Sequence, residues 1–430
     1  MAGKLIAKTG ISQKIIIIGG GLIGIATLYE LSRRGIGAIL LEAEAELAME
    51  TSFANGGMMT PSQSEPWNGP GVGRHLASSL FLPGSAMKLH WRQIPSLTNW
   101  GLRFLRNSRA DKYPKSVQSN FTLANFSASK TANILQKYKP DIDHSNCGSL
   151  KVFGNNNDFK KSLLAFDLIK NIGFTCVKLT AEGVIKKEPQ LGGAESWIKG
   201  GLYFAEDSVA DARKFALFLS DMAIKAGGEI KTSVQVSDLI SENGKIVGVQ
   251  TDHGDFQGTV ILCAGSSSAD LITNLGLKLP IKPVKGYTIT LDGGHVTSQL
   301  PKMPVIDEAK HIAIVPMGQK LRIAGMAEFA GFDQSLPAKR LRKLKQLCQR
   351  LYPDLSAKLD WQSATNWTGL RPMSADGVPF VGAAPLDGLW LNCGHGHLGW
   401  TMAIGSANLL VDMITGDEPD IDPLAYRYGR

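Results

Sequence analysis

The residues whose types and spacing most directly imply chemistry stand near the start of the chain. Gly19-Gly20-Gly21-Leu22-Ile23-Gly24 reads Gly-x-Gly-x-x-Gly, and Glu42 follows eighteen positions after Gly24. Glycines so spaced let the backbone approach a pyrophosphate, and a helix opening behind them offers unpaired N–H groups and the positive end of its dipole. An acid about 20 residues further on accepts hydrogen bonds from ribose hydroxyls and repels a 2′-phosphate, so the pattern points to a dinucleotide other than NADP. A purely structural glycine turn is the alternative, and the strand before it and the helix after it weigh against that. A second run, Cys393-Gly394-His395-Gly396-His397, holds zinc-ligand residue types. No second ligand pair at a suitable spacing accompanies it, so no metal site is expected. Cys263, in Cys263-Ala264-Gly265, is expected to fill core space, since nothing marks it as a thiolate.

Particular elements must position these residues. Residues 14–19 form a β-branched run that suits a buried parallel strand, residues 22–35 have helical spacing and end on glycine, and residues 38–42 form a second buried strand. Together they predict a βαβ unit. Residues 51–74, rich in Gly, Pro, Ser and Asn, are expected to be mostly loop. Residues 75–200 mix helices with short strands such as Ser149–Phe153. A helix is predicted over 211–227, with Asp207 or Ser208 near its start. Strands follow at 229–232, 234–241, 245–251 and 259–263, with Asn243-Gly244 as a hairpin turn. Residues 284–291, 311–315 and 321–324 suit one sheet and 337–351 a helix. Residues 389–392 form a strand, followed by a glycine–histidine turn and a helix over 398–414. No internal repeat is visible.

Several segments carry a family resemblance. Glu50-Thr51-Ser52-Phe53-Ala54-Asn55-Gly56-Gly57 resembles the second flavin-binding segment of the D-amino-acid oxidase and glycine oxidase superfamily. Trp367-Thr368-Gly369-Leu370-Arg371-Pro372, continued by Asp376-Gly377-Val378-Pro379 and Gly382, resembles its C-terminal signature. The run from Asn392 to Thr401 resembles its closing flavin loop. With Pro283–Tyr287 and Gly325–Glu328, these segments look most like the bacterial D-amino-acid dehydrogenases, the FAD subunit often called small, from about residue 14 to the C-terminus.

The resemblance implies FAD held non-covalently, because no cysteine occupies the position that related sarcosine oxidases use for covalent attachment. It implies FAD contacts from Gly19, Gly21, Gly24, Glu42, Thr51, Ser52, Asn55, Gly56, Gly57, Met58, Val236, Gly265, Gly394, His395, Gly396, Leu398, Gly399, Trp400 and Thr401. Met58 departs from the polar residue usual there. Arg371 is implied to pair with the substrate carboxylate, a task that suits a guanidinium with its parallel donors and a charge kept at any useful pH. Tyr287 and His311, on strands over the flavin, are further candidates for substrate contact, with ordinary strand roles as the alternative. The implied reaction is oxidative deamination of a D-amino acid by hydride transfer from Cα, with a quinone or other respiratory acceptor. A glycine, sarcosine or hydroxyproline oxidoreductase would share these motifs. An NAD-dependent dehydrogenase would share only the first, and a non-catalytic flavin-bearing subunit would bind FAD without reacting.

The 430-residue length favours two domains. The expected architecture is α/β: a Rossmann-like FAD-binding domain from 14–70, 205–280 and 365–430, interleaved with an antiparallel-sheet substrate domain from 71–204 and 281–364. The net charge is +8, yet no nucleic-acid motif or basic tail appears, so nucleic acid ranks last among partners. Five scattered cysteines without a CxxC read as free thiols in a reducing compartment. Residues 1–13 lack the apolar region of a signal peptide and no run reaches the ~20 apolar residues of a membrane span, so a cytoplasmic location is expected. Between Pro66 and Ala110 there is no acid, while Arg74, Lys88, Arg92, Arg103, Arg106 and Arg109 are interleaved with Trp67, Phe81, Trp91, Trp100 and Phe104. Leu97, Trp100, Phe104 and Leu105 share a helical face. This suits peripheral contact with the inner membrane surface, or equally a domain-packing helix.

Overall fold

A computed structural model describes residues 14–73, 87–169 and 175–430. Its first sheet has six strands in the order Phe380–Ala383, Leu389–Cys393, Thr259–Leu262, β1 (Ile15–Ile18), β2 (Ala38–Leu41) and Glu229–Lys231. All neighbours are parallel except the first pair. β1 is four isoleucines because both its faces are covered. Ile15 and Ile17 pack under helices that include α1 (Leu22–Arg33), Ala212–Lys225 and Gly399–Thr415. Ile16 and Ile18 pack on the opposite side, with residues of the three-stranded antiparallel sheet Val236–Glu242, Lys245–Thr251 and Gly254–Gln257. Asn243 and Gly244 both have positive φ and close the predicted hairpin.

The second sheet is larger and largely antiparallel. Its nine strands include β3 (Ile281–Asp292), β4 (Lys320–Phe329) and β5 (Thr365–Ser374), with β3 paired to both others. Ser149–Phe153 joins the same sheet. The strand carrying Arg371 therefore hydrogen-bonds into this sheet. Tyr287, Ile289 and Leu291 point into a core closed by the helix Ala338–Leu351. The fold is the mixed α/β arrangement expected: a parallel sheet joined to a mainly antiparallel one.

One local expectation is sharpened and one needs correction. The helix Ala212–Lys225 starts a few residues after Asp207 and Ser208 and is capped by Asp211, whose carboxylate accepts from the Arg213 and Lys214 amides. Asp207 is buried and bonds the Ser62 and Ser149 hydroxyls. His311 does not lie in a strand. It takes a left-handed turn conformation one residue before the strand Ile312–Met317.

Residues 94–107 form helix α2 (Ile94–Asn107). Trp100 and Phe104 are buried against Phe329 and Met373 with Leu97 beside them, and the Trp100 indole N–H donates to the Met373 carbonyl at 3.0 Å. That face is a packing face. Leu105 turns outward with Leu102, Ile94 and the preceding Trp91. Arg74 and Phe81, and residues 1–13, lie outside the described residues. Among the described residues, no helix is long and apolar enough to cross a membrane.

Candidate active site

The two sheets meet along a cavity of about 1250 Å³, larger than the roughly 300–1,000 Å³ of most small-molecule pockets. One end lies over the C-terminal ends of β1 and β2. Gly19 has φ +106°, and a Cβ there would sit 2.8 Å from the Cys263 carbonyl oxygen. A Cβ on Gly24 would fall 1.9 Å from the Gly19 carbonyl oxygen, so this glycine permits strand–helix packing and does not itself line the cavity. Gly21 lines it and has room before it. Helix α1 opens here with no acid in its first turn, and the Leu22 N–H donates to Ser52 Oγ at 3.1 Å. The Glu42 carboxylate accepts from the Gly20 and Glu44 amides and faces the cavity.

The middle is lined by Thr51, Ser52, Asn55, Gly56, Gly57, Met58, Val236, Gly265, Gly394, His395, Gly396, Gly399 and Trp400. These residues are tied to the framework. Thr51 donates to the Leu370 carbonyl at 2.8 Å, Asn55 Oδ1 accepts from the Gly57 amide at 2.9 Å, and the Trp400 indole donates to the Ala210 carbonyl at 3.3 Å. Leu398 and Thr401 stand behind the wall. Leu398 N–H donates to the His395 carbonyl, and Thr401 Oγ1 accepts from the Thr60 amide. His395 is 3% exposed, and neither ring nitrogen has a hydrogen-bond partner among the described residues. Burial lowers its pKa to about 3. An open glycine cradle, a helix N-terminus with no acid in its first turn and a buried imidazole without a partner among the described residues, in one cavity, fit a flavin dinucleotide.

The far end holds Arg371. Its guanidinium donates from Nη1 to the Met326 carbonyl at 2.9 Å and lies 5.6 Å over the Trp67 ring. Among the described residues no carboxylate pairs with it, and burial alone lowers its pKa to about 10. Gly286, on the neighbouring strand, makes the space: a Cβ there would meet Arg371 Nη1 at 2.4 Å. Met326 holds a positive φ although it is not glycine, and its amide donates to the carbonyl of His311, which is also left-handed. Such strain persists only where the surroundings impose it.

His311 reaches the cavity wall. Tyr287 borders it, but its ring is 1% exposed in the core beneath the helix Ala338–Leu351. Sequence reasoning missed Glu65, Trp67, Lys151, Glu308 and Met326 as lining residues. The one available signal was that Glu65 is the last acid before the acid-free run that starts at Pro66. Cys263 and Cys393 also line the cavity, and burial raises both thiol pKa values, that of Cys393 to about 12. No three His, Cys, Asp or Glu side chains gather as metal ligands among the described residues.

Residues 14–413 match the family model described as FAD dependent oxidoreductase. The chain is 34% identical over 411 residues to a D-amino acid dehydrogenase of Cereibacter sphaeroides, covering 95% of this chain and 93% of that protein. It is 32% identical over 415 residues to a D-amino acid dehydrogenase of Vibrio vulnificus, covering 95% and 97%. In structure it is similar to glycine oxidase from Geobacillus kaustophilus, with a TM-score of 0.76 at 23% identity over 97% of this chain and 99% of that one.

Proposed function

The chain belongs to the family of FAD-dependent oxidoreductases, and from that premise we propose that it deaminates D-amino acids oxidatively to 2-oxo acids and ammonia. The observation that carries this reading is Arg371: a half-buried guanidinium that lines the same cavity as the dinucleotide cradle and has no acidic partner among the described residues. A partly desolvated cation of this kind gains from an ion-pair partner, and a substrate carboxylate would supply one with parallel hydrogen bonds. The curated relatives, named as D-amino acid dehydrogenases, support the chirality.

FAD, when bound, supplies the acceptor for the hydride that leaves Cα. The chain's residues bind and orient. Gly19, Gly21 and the α1 N-terminus would hold the pyrophosphate, and Glu42 would hold the ribose. Residues from 51–58 and 394–400 that line the cavity would hold the ring system, with His395 available there in its neutral form to donate or accept. Arg371, held by the Met326 carbonyl, fixes the substrate carboxylate and so sets where the Cα–H points. His397, stacked on Trp67 at 5.0 Å, is kept neutral by burial and by the Arg371 charge. It therefore leaves the carboxylate to the arginine. The α-amine reacts in its neutral form, and the imino acid released hydrolyses in water. Neither cavity thiol is a ready nucleophile, so FAD is held non-covalently, and acid precipitation should leave the yellow colour in the supernatant.

A quinone is the proposed electron acceptor. Trp91, Ile94, Leu102 and Leu105 stand exposed on and beside α2 with Arg92, Arg103 and Arg106. Large apolar side chains among cations suit an anionic membrane surface, where each cation contributes about 1 kcal/mol. Replacing Leu102 and Leu105 tests this contact, whereas replacing Trp100 would disturb packing.

The deciding experiment is anaerobic mixing of the yellow protein with D-alanine and, separately, L-alanine. Bleaching of the flavin band by the D-enantiomer is expected. Bleaching by the L-enantiomer alone, or by neither, contradicts the proposal.

A further inference from the structure

Beyond Arg371 the cavity carries a second group of charges, and it is acid-rich. Lys151 is paired with Glu308 at 3.0 Å. Asp207 lies beside them, bonded to Ser62 and Ser149. Glu65, on the loop after the turn Pro61–Gln63, also lines the cavity. Its carboxylate makes no hydrogen bond or ion pair among the described residues. Burial and the Glu308 charge both disfavour its ionised form, and only Lys151 favours it. Glu65 and Glu308 thus line this end of the cavity with Asp207 buried nearby, against one largely enclosed lysine, Lys151, in a protein whose net charge is +8. Lys310, the other lysine lining this region, is exposed.

This group is separate from Arg371. Burial alone moves the Arg371 pKa, with no acid acting on it. The link between the two is the Trp67 ring, on which His397 stacks and over which Arg371 lies at 5.6 Å, and Glu65 stands two residues before Trp67 on the same loop. A substrate whose carboxylate rests on Arg371 can therefore send its side chain past the His397–Trp67 pair toward Glu65. A carboxylate without a partner in a half-buried site gains most from a charged donor.

Resting on the deamination reading above, we propose that Glu65 is a specificity-determining residue that receives a cationic side chain, so that D-amino acids ending in an ammonium or guanidinium group are preferred over uncharged ones. The Lys151–Glu308 pair then positions the floor of that subsite.

The test compares D-lysine with D-norleucine, which has the same four-carbon chain without the ammonium, using FAD-loaded protein and an artificial dye acceptor. The wild type should favour D-lysine in kcat/KM by about ten- to a hundredfold, the range of one buried charge-assisted contact. In Glu65→Gln, which keeps shape and removes charge, the ratio should fall toward one. A wild-type preference for D-norleucine overturns the proposal. So does a Glu65→Gln variant that loses both substrates equally, which would place Glu65 at the α-amine. If no D-amino acid is turned over, the deamination reading fails by itself. Equilibrium dialysis of D-lysine then still reports on Glu65: weaker binding to Glu65→Gln than to the wild type supports the subsite, and equal binding overturns it.

Discussion

The two ends of the cavity are built from different materials. At the dinucleotide end the ligand would meet mostly backbone: Gly19, Gly21 and the opening of α1, with the Glu42 carboxylate, itself held by two amides, beside them. At the substrate end it would meet side chains. Arg371 comes from β5, Lys151 from a distant strand of the same sheet, Glu308 from a short turn, and Glu65 and Trp67 from a loop. A backbone site is sensitive to an added Cβ and tolerant of much else. A side-chain site depends on individual charges. The ends should therefore fail independently, and mutations can be chosen to break one and spare the other.

The largest expected effect is at the substrate end. Arg371→Ala should keep FAD bound at wild-type stoichiometry while kcat/KM for a free D-amino acid falls about thirty- to several-thousand-fold, as when a buried charged contact worth roughly 2–5 kcal/mol is lost. Flavin absorbance per protein and steady-state rates report the two halves separately. Next comes the opposite lesion. Glu42→Ala should weaken FAD binding by about ten- to 150-fold, since a charge-assisted acceptor contributes roughly 1.5–3 kcal/mol. Once saturated with FAD, this variant should show a near-normal KM for the amino acid. A variant that lost both functions would show the ends to be coupled.

A smaller effect should appear with pH. Burial lowers the Arg371 pKa to about 10. Its charged form, the one that holds a carboxylate, is present below that pH and lost above it. KM should be flat near neutrality on this account and rise toward tenfold per unit beyond about pH 10, with no parallel loss of FAD. The smallest effect concerns stability. Burial raises the Asp207 carboxyl to about 6, against roughly 3.9 for a free aspartate. Its protonated form is thus favoured in the fold. The associated stability, on the order of 3 kcal/mol at most, is complete below pH ~4 and lost as pH rises through about 6. Asp207→Asn should flatten that part of the Tm–pH profile, as thermal melts across pH 4 to 7 would show.

The difference in materials also explains what could be read from the chain beforehand. The glycine run, α1 and Glu42 fall within one βαβ unit, where spacing alone encodes the geometry. Arg371 was legible through the segment around it. The relation between Arg371 and Gly286 was not, because it follows from a strand register that pairs Val284 with Arg371. Lys151, Glu65 and Glu308 come together only when the loop after Gln63 meets the far side of the larger sheet. No local periodicity records that meeting. The left-handed turn at His311 was hidden for a related reason: the residue next to an apolar strand reads as part of it, while its φ is imposed by the short helical turn Glu308–Lys310 before it.

The central claim is that Arg371 holds the substrate by its carboxylate. The direct measurement is kcat/KM for D-alanine and for D-alaninamide, which lacks the carboxylate charge, in the wild type and in Arg371→Ala at equal flavin occupancy. The wild type should favour D-alanine strongly, and Arg371→Ala should bring the ratio toward one by losing activity on D-alanine alone. A preference of the same size in both proteins would contradict the claim and move the carboxylate to another part of the cavity.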